Sequence, residues 1–230
     1  MSPAPAAAPA PLTWRFLVCA ALFVTCLLAA NTMAPKLVLV GGVVLSAAIV
    51  IFPLSYVLGD VLTEVWGYGM ARRVIWLGFV CNAVMVAAIW LGGQIPAAPF
   101  WKGQGAYEEI LGQTPRILLA SFAAYLVGEL ANAFVLAKLK IATRGRFLWL
   151  RTIGSTVVGQ ALDSVVFVTL AFAGAVPGAV LVGIIAGQWG AKVLYEAAAT
   201  PLTYAAVGWL KSREGVDVYD HGTDFNPLRF

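Results

Sequence analysis

Long runs of apolar residues separated by short polar stretches are the main pattern of this chain. These runs approach or exceed the roughly 20 residues that an α-helix needs to cross a hydrocarbon layer about 30 Å thick. The predicted spans lie near 14–30, 37–58, 73–92, 116–137, 152–172 and 178–199. If the last helix continues towards Leu210, a kink is expected at Pro201, because proline removes a backbone donor. The pattern predicts an all-α integral membrane protein, a bundle of six transmembrane helices.

Composition agrees with this prediction. Hydrophobic residues make up 61% of the chain and charged residues only 11%, whereas a soluble domain carries roughly a quarter charged residues. The net charge of +4 comes from Lys and Arg in short loops, where they set topology, so no nucleic-acid partner is expected. Cys19, Cys26 and Cys81 lie inside apolar runs without CxxC spacing, which indicates packing.

The chain divides into three predicted segments. Residues 1–13 form a Pro/Ala-rich disordered tail, residues 14–210 a single transmembrane domain, and residues 211–230 a second tail. With the N-terminus in the cytoplasm, one side holds Arg15, Arg72, Arg73, Lys138, Lys140, Arg144, Arg146, Arg151, Lys211, Arg213 and Arg229. The other side holds Lys36, Lys102 and Arg116. This asymmetry predicts that both termini are cytoplasmic.

Small residues recur at four-residue spacing on two predicted spans, which places each set on one helix face and permits close helix approach. The sets are Ala21, Thr25 and Ala29 on the first span, and Gly183, Gly187 and Ala191 on the last. Such faces pack a bundle more often than they bind a partner. A homodimer through one of them is the alternative.

Polar and aromatic side chains inside the predicted spans form the candidate substrate site. They are Asn82, Glu129, Asn132, Gln160, Asp163, Gln188, Trp189, Lys192, Tyr195 and Glu196. An ionisable side chain there costs at least ~2.5–3.5 kcal/mol on insertion scales, so it normally faces the bundle interior or a water-filled cavity. Depth counted at about 1.5 Å per residue brings several of them near mid-membrane. They predict a polar pocket. The alternative is a network that only holds helices together, with Lys192 and Glu196 neutralising each other.

Enzymatic chemistry is not indicated. Asp60 and Asp163 resemble the aspartate pair of an intramembrane protease, but Asp60 lacks a Gly-x-Gly-Asp context and is predicted far from mid-span Asp163. The sequence has no HExxH, no GxSxG and no nucleotide-binding loop, and its histidine, His221, lies in the tail. No catalytic residue, cofactor or metal is expected.

The stretch 52–79 concentrates charge between two apolar runs, with Asp60, Glu64, Arg72 and Arg73 at the predicted cytoplasmic turn. The two carboxylates are one helical turn apart. Their candidate partners are Arg72, Arg73, Arg144, Arg146 and Arg151. A moving inner gate and a static structural latch fit this pattern equally.

Five stretches combine charged, glycine and apolar positions in a specific way: FPLSYVLGDVLTEVWGYGMARRVIWLGF, GELANAFVLAKLK, TRGRFLWLRTIGSTVVGQALDSVVF, YEAAATPLTYAAVGWLK and EGVDVYD. Together they resemble the queuosine precursor transporter family, also called vitamin uptake transporters. The resemblance covers nearly all of the chain after the N-terminal tail. It implies a multi-pass importer of 7-deazaguanine bases in the bacterial inner membrane. The family is also similar in size and helix number to the substrate-binding subunits of energy-coupling-factor vitamin transporters.

The implied substrate presents N–H donors beside a carbonyl acceptor, and buried polar partners reject analogues that lack the matching groups. Asp163 or Glu129 is expected to accept from the donor edge. Asn132, Gln160 or Gln188 would complete the pattern, Trp189 or Tyr195 would stack, and Glu196 and Lys192 would position the site or carry the conformational change.

Three alternatives stay open from the sequence. The chain contains no ATPase motif, so it is either a stand-alone transporter or a substrate-binding subunit that needs a separate energising complex. It could instead carry another purine-like or vitamin-like solute. The third alternative is a structural membrane protein whose polar residues only lock helices.

Overall fold

The computed structural model describes residues 12–40, 43–112, 115–175 and 177–229, so the predicted disordered tail lies almost wholly outside the described residues. The helices are α1 (Trp14–Met33), α2 (Phe52–Gln94), α3 (Gln104–Leu111), α4 (Pro115–Ala142), α5 (Leu148–Phe172) and α6 (Gly178–Glu214). Within this described part, five helical segments are long and apolar enough to cross a membrane. The prediction of a helical, multi-pass membrane protein is confirmed.

The predicted helix over 37–58 is wrong in its first half. Residues Leu37–Val40 (β1) and Val43–Ser46 (β2) form an antiparallel pair, with Val40 opposite Val43, and a short 3-10 turn follows at Ala47–Val50. Both strands are rich in β-branched valine, which favours extended backbone. Hydropathy alone cannot separate such an apolar strand pair from an apolar helix.

Helix α2 is broken at Gly67, whose backbone has φ 81° and ψ 168°. A Cβ built on Gly59 would lie 3.4 Å from the Phe23 ring, and one built on Gly78 would lie 3.6 Å from the same ring. In one straight helix these two glycines would be about 28 Å apart. The chain therefore folds back at Gly67, and α2 consists of two helices, α2a (52–66) and α2b (68–94), that run in opposite directions.

Helix α1 begins at the same end of the bundle at which helix α6 ends. Arg15, in the first turn of α1, forms an ion pair of 2.9 Å with Glu214, the last residue of α6. Lys140 at the end of α4 and Arg151 at the start of α5 lie at this same end of the bundle, which we call the basic end. At the opposite end Arg116 donates to the Leu170 carbonyl oxygen at 2.7 Å.

The small-residue faces predicted from the sequence do not pack the described bundle. Ala21 and Thr25 are exposed, and no heavy atom of another element lies within 4 Å of a Cβ built on Gly183 or Gly187. The close helix crossing lies instead between α4 and α5, at Gly128 and Gly159. Its signal in the sequence was the four-residue spacing of Ala120, Ala124 and Gly128, of which the two alanines are buried.

Residues 216–229, which we call the C-terminal strap, fold back over the basic end. The Val218 amide donates to the Val65 carbonyl oxygen at 3.2 Å. The Asp220 carboxylate accepts from the Tyr68 amide at 3.0 Å, one residue beyond the break at Gly67. Further along, Trp76 donates to the Pro227 carbonyl oxygen at 2.8 Å. The predicted C-terminal tail is therefore a packed element of the fold.

Candidate functional site

Four helices each direct a pair of polar side chains into one buried region, which we call the polar cluster. Its members are Tyr56 and Asp60 on α2a, Glu129 and Asn132 on α4, Gln160 and Asp163 on α5, and Lys192 and Glu196 on α6. The members of each pair are three or four residues apart, the spacing that places two side chains on the same face of a helix. The cluster includes much of the substrate site predicted from the sequence.

Asp60 and Asn132 form a buried contact within the cluster. The Asn132 amide nitrogen donates to Asp60 Oδ1 at 2.8 Å, and Asp60 is fully buried. Asp60 Oδ2 and Asn132 Oδ1 have no hydrogen-bond partner among the described residues. The sequence placed Asp60 at the membrane edge as part of a gate or latch. Its contact with Asn132 places it in the polar cluster.

Glu196 is 1% exposed, and neither of its carboxylate oxygens meets a hydrogen-bond donor in the described part of the chain. Glu129 is also buried, and its Oε2 lies 3.4 Å from the Cβ position of Gly59. Buried polar groups are nearly always hydrogen-bonded, so unused acceptors at such depth indicate a missing donor or proton.

One interpretation of the sequence was that Lys192 and Glu196 neutralise each other, but the structure does not pair them. The Lys192 ammonium group contacts Asp163 Oδ2 instead. The two side chains of this pair are 18% and 17% exposed. Asp163, predicted to accept from the substrate, is thus already held by a cation.

Tyr56 was not predicted from the sequence. Its hydroxyl donates to Gln160 Oε1 at 2.9 Å, and both residues are buried. The available signal was its position four residues before Asp60, which places both side chains on one face of α2a. This hydrogen bond ties α2a to α5.

The predicted aromatic residues do not join the cluster. Trp189 is 37% exposed and donates from Nε1 to the Val157 carbonyl oxygen at 3.0 Å. Tyr195 is likewise exposed at the bundle surface, and Gln188 is half-buried. The structure brings none of these three side chains against Asp60 or Asn132.

Asn82 lies in a different place from the cluster. It is buried, accepts from the Asn31 amide nitrogen at 2.9 Å, and lines a cavity of about 170 Å³ towards the opposite end of the bundle, which we call the Asn82 cavity. Tyr107, Glu108 and Ser121 also line it. Since Ser121 is eight residues before Glu129 on α4, the cavity lies about 12 Å from the cluster along that helix.

Glu64, one helical turn after Asp60, connects the polar cluster with the charged side chains of the basic end. Its fully buried carboxylate accepts from Arg151 Nη2 at 2.7 Å and Nε at 3.1 Å, and from the Lys211 ammonium at 2.7 Å. Lys140 lies 3.7 Å away and binds Asp217 of the strap. Arg151 was among the partners predicted from the sequence.

Arg72 and Arg73 do not pair with Asp60 or Glu64 in the described contacts. Arg72 is buried and donates to the Asp224 carbonyl oxygen of the strap at 2.9 Å. Arg73 is exposed and contacts the Met70 sulfur at 3.5 Å. Arg72 therefore holds the strap.

Comparison with known proteins adds a family match. Residues 46–206 match the sequence profile of the family described as "Putative vitamin uptake transporter". A protein of Bacillus subtilis (strain 168) named "Probable queuosine precursor transporter" is 30% identical over 180 residues, which cover 77% of this chain and 78% of that protein.

A second relative, from Escherichia coli (strain K12), is named "Queuosine precursor transporter". It is 30% identical over 124 residues, which cover 53% of this chain and 52% of that protein. No solved structure matches the chain.

Proposed function

This chain belongs to the vitamin uptake transporter family, and we propose that it imports 7-deazaguanine precursors of queuosine across a bacterial inner membrane. The names of both relatives support this substrate class. The chain is a transporter rather than an enzyme, as the sequence predicted.

One observation supports the polar cluster as the substrate site. Asp60, Asn132 and Glu196, on three different helices, all present buried acceptor atoms without a donor. A purine-like base supplies adjacent N–H donors on one rigid edge. Each acceptor that it satisfies removes the penalty of an unpaired buried group, which is typically about 1–3 kcal/mol and more for charged groups.

The roles differ from those expected from the sequence. Asp60 Oδ2, rather than Asp163, is proposed to accept from the donor edge of the base, with Asn132 beside it. Gln160 and Glu129 remain candidates for completing the pattern. Asp163 and Lys192 would position α5 against α6, and Trp189 and Tyr195 would not stack on a base held at Asp60.

The basic end is proposed to face the cytoplasm, by the excess of Lys and Arg at that end. The chain would then cross the membrane six times, with both termini inside. Helix α2a would make the second crossing, extended by the 3-10 turn at Ala47–Val50, because α2a alone is only about 22 Å long. A bundle of this size is also expected to be similar to the substrate-binding subunits of energy-coupling-factor vitamin transporters.

In this orientation the Asn82 cavity is the entrance from outside, and the C-terminal strap closes the inner side. Glu64 with Arg151, and Arg72 with the strap, would form the inner gate that opens to release the base. Arg73, exposed beside Met70, would fix topology rather than move with the gate.

Two further possibilities belong to the same proposal. The exposed glycine face of α6 offers a surface for a homodimer. A separate energising complex is the alternative to a stand-alone transporter, and co-purification of an ATPase pair with the chain would favour it.

Rescue of tRNA modification tests the function. Bacteria that lack both precursor synthesis and their own importer would express this chain and receive a low concentration of a 7-deazaguanine precursor. Queuosine in tRNA should return with the wild type and with Glu109→Gln, an exposed site on α3. Expressed, membrane-inserted wild type without rescue would contradict the substrate assignment.

Binding to purified protein tests the site. Asp60→Asn replaces a charged acceptor, so affinity for the base should fall roughly 10- to 100-fold, in line with about 1.5–3 kcal/mol for a hydrogen bond to a charged group. Asp163→Asn, at one of the two carboxylates that the sequence analysis expected to accept from the substrate, should leave binding closer to wild type. Unchanged affinity in Asp60→Asn would exclude Asp60 from the site.

A further inference from the structure

We propose that Glu196 is the proton-carrying carboxylate that couples import to a transmembrane proton gradient. The inference rests on the transport function proposed above, and it adds an energy source to that function. The ligand of this site is a proton that enters from outside and leaves to the cytoplasm.

The surroundings of Glu196 contain no uncommitted cation among the described residues. Lys192, one turn earlier on α6, is engaged with Asp163. Thr200 donates to the backbone carbonyl oxygen of Glu196 at 2.9 Å and not to its carboxylate. At the basic end, Arg151 and Lys211 are committed to Glu64.

The groups that face Glu196 from neighbouring helices are acids or neutral hydroxyls and amides. Asp60 and Tyr56 of α2a lie within electrostatic reach, as does Glu129 of α4. On α5, Gln160 accepts from Tyr56, and Asp163 is paired with Lys192. Like charges in a low-dielectric interior repel strongly, and an ionised carboxylate without donors is disfavoured there.

Three buried carboxylates in this region therefore cannot all be ionised in the closed arrangement. Asp60 receives a hydrogen bond from Asn132, which favours its charged form. Of Asp60, Glu129 and Glu196, Glu196 alone has both carboxylate oxygens buried without a hydrogen-bond donor in the described part of the chain. Glu196 is thus the member of the cluster that carries a proton when the site is closed.

A protonated Glu196 also explains why proton and base would move together. The protonated carboxyl group of Glu196 can donate a hydrogen bond to the carbonyl oxygen of a 7-deazaguanine. Asp60 accepts hydrogen bonds from the N–H groups of the same base. The proton is taken up by the carboxylate when the site is open to the outside. It leaves to water when the inner side opens, and the empty transporter returns outward only after this release, with Lys192, one turn earlier on α6, as the available counter-charge for ionised Glu196. Each cycle then moves one base and one proton.

Transport by the full-length chain in liposomes tests this coupling, with radiolabelled 7-deazaguanine as the probe and the membrane potential clamped by potassium and valinomycin. For one proton per base, an inward gradient of about one pH unit supports roughly tenfold accumulation. An uncoupler should abolish this accumulation. Glu196→Gln should lose the accumulation but retain exchange of labelled for unlabelled base. Glu109→Gln, exposed on α3, is the matched control and should accumulate like wild type.

The outcomes separate the two proposals. Absence of both exchange and uptake in folded wild type would contradict the transport function itself. Three results would overturn the coupling. Exchange could occur without a response to the proton gradient, sodium could drive accumulation instead, or gradient-driven accumulation could survive in Glu196→Gln. If Glu196→Gln does not fold, proton entry is measured in the wild type with a pH dye inside the liposomes. Acidification of the lumen on adding the base supports the proposal, and its absence contradicts it.

Discussion

Gly128 of α4 and Gly159 of α5 lie back to back where the two helices cross. A Cβ on Gly128 would lie 3.2 Å from the Gly159 carbonyl oxygen and 2.7 Å from Asp163 Cβ. One on Gly159 would lie 2.9 Å from the Gly128 carbonyl oxygen and 2.7 Å from Asn132 Cβ. The absence of both methyl groups lets each helix bring a polar residue of the cluster against its neighbour.

Gly159→Ala is expected to force α4 and α5 apart, because its methyl group would meet backbone as well as a side chain. Overpacking of this kind typically costs about 1–3 kcal/mol. The melting temperature in detergent and the affinity for 7-deazaguanine should both fall, since Asn132 moves with α4. Gly105→Ala on α3, with open space around its Cβ position, is the control. A Gly159→Ala variant as stable as that control would show that the crossing tolerates a methyl group.

Gly67→Ala should disrupt the fold-back of α2. Its φ of 81° disfavours residues with a Cβ, and the new methyl group would lie 2.7 Å from Val218 Cγ1 of the strap. A loss of about 1–3 kcal/mol is expected from backbone strain of this kind, seen as reduced thermal stability. Gly69→Ala is the matched control, because no other element lies within 4 Å of that position. Equal behaviour of the two variants would contradict the assigned turn.

Glu64→Gln should be among the most damaging single changes at the basic end. It keeps the size of the side chain but leaves Arg151, which is almost fully buried, without its counter-charge. Breaking a buried pair on one side typically costs about 3–5 kcal/mol. The yield of folded protein and its melting temperature report the loss. Asp224→Asn, an exposed partner of Arg229, should leave both unchanged. A stable Glu64→Gln protein that only fails to release the base would favour a moving gate over a static latch.

Docking of the C-terminal strap should weaken in acid. Burial raises the pKa of Asp217, but hydrogen bonds from Lys140 and Lys211 outweigh it and hold this pKa below the usual value. A lowered folded-state pKa stabilises docking above the ordinary Asp pKa of about 3.9, and the effect is lost as pH falls through the folded-state pKa. Protease cleavage within the strap should accelerate in that acid range.

Asp217→Asn should give faster cleavage of the strap already at neutral pH, because the amide cannot form ion pairs with both lysines. Asp224→Asn, at the exposed end of the strap, serves as the comparison. Cleavage that is insensitive to the Asp217 substitution would show that backbone contacts such as Val218 to Val65 hold the strap alone.

Several features of this protein followed from the sequence because they depend on local pattern. Apolar runs longer than about 20 residues identify membrane helices whatever their packing, so the helical membrane class and the approximate bounds of α1, α4, α5 and α6 were predicted. Spacing of three or four residues placed Glu129 with Asn132, and Gln160 with Asp163, on shared faces. The signature stretches identified the family.

The tertiary structure alone decided which helix each polar face meets. Helical spacing predicted that Lys192 reaches Glu196, yet Lys192 contacts Asp163 because the α5–α6 interface brings that carboxylate nearer to its ammonium group. Asp60 joined the cluster because the chain reverses at Gly67 and lays α2a against Asn132. The antiparallel pairing of β1 with β2 was missed because hydropathy does not report backbone conformation. A hydrogen bond between residues distant in sequence depends on how whole helices pack, and no local pattern encodes that.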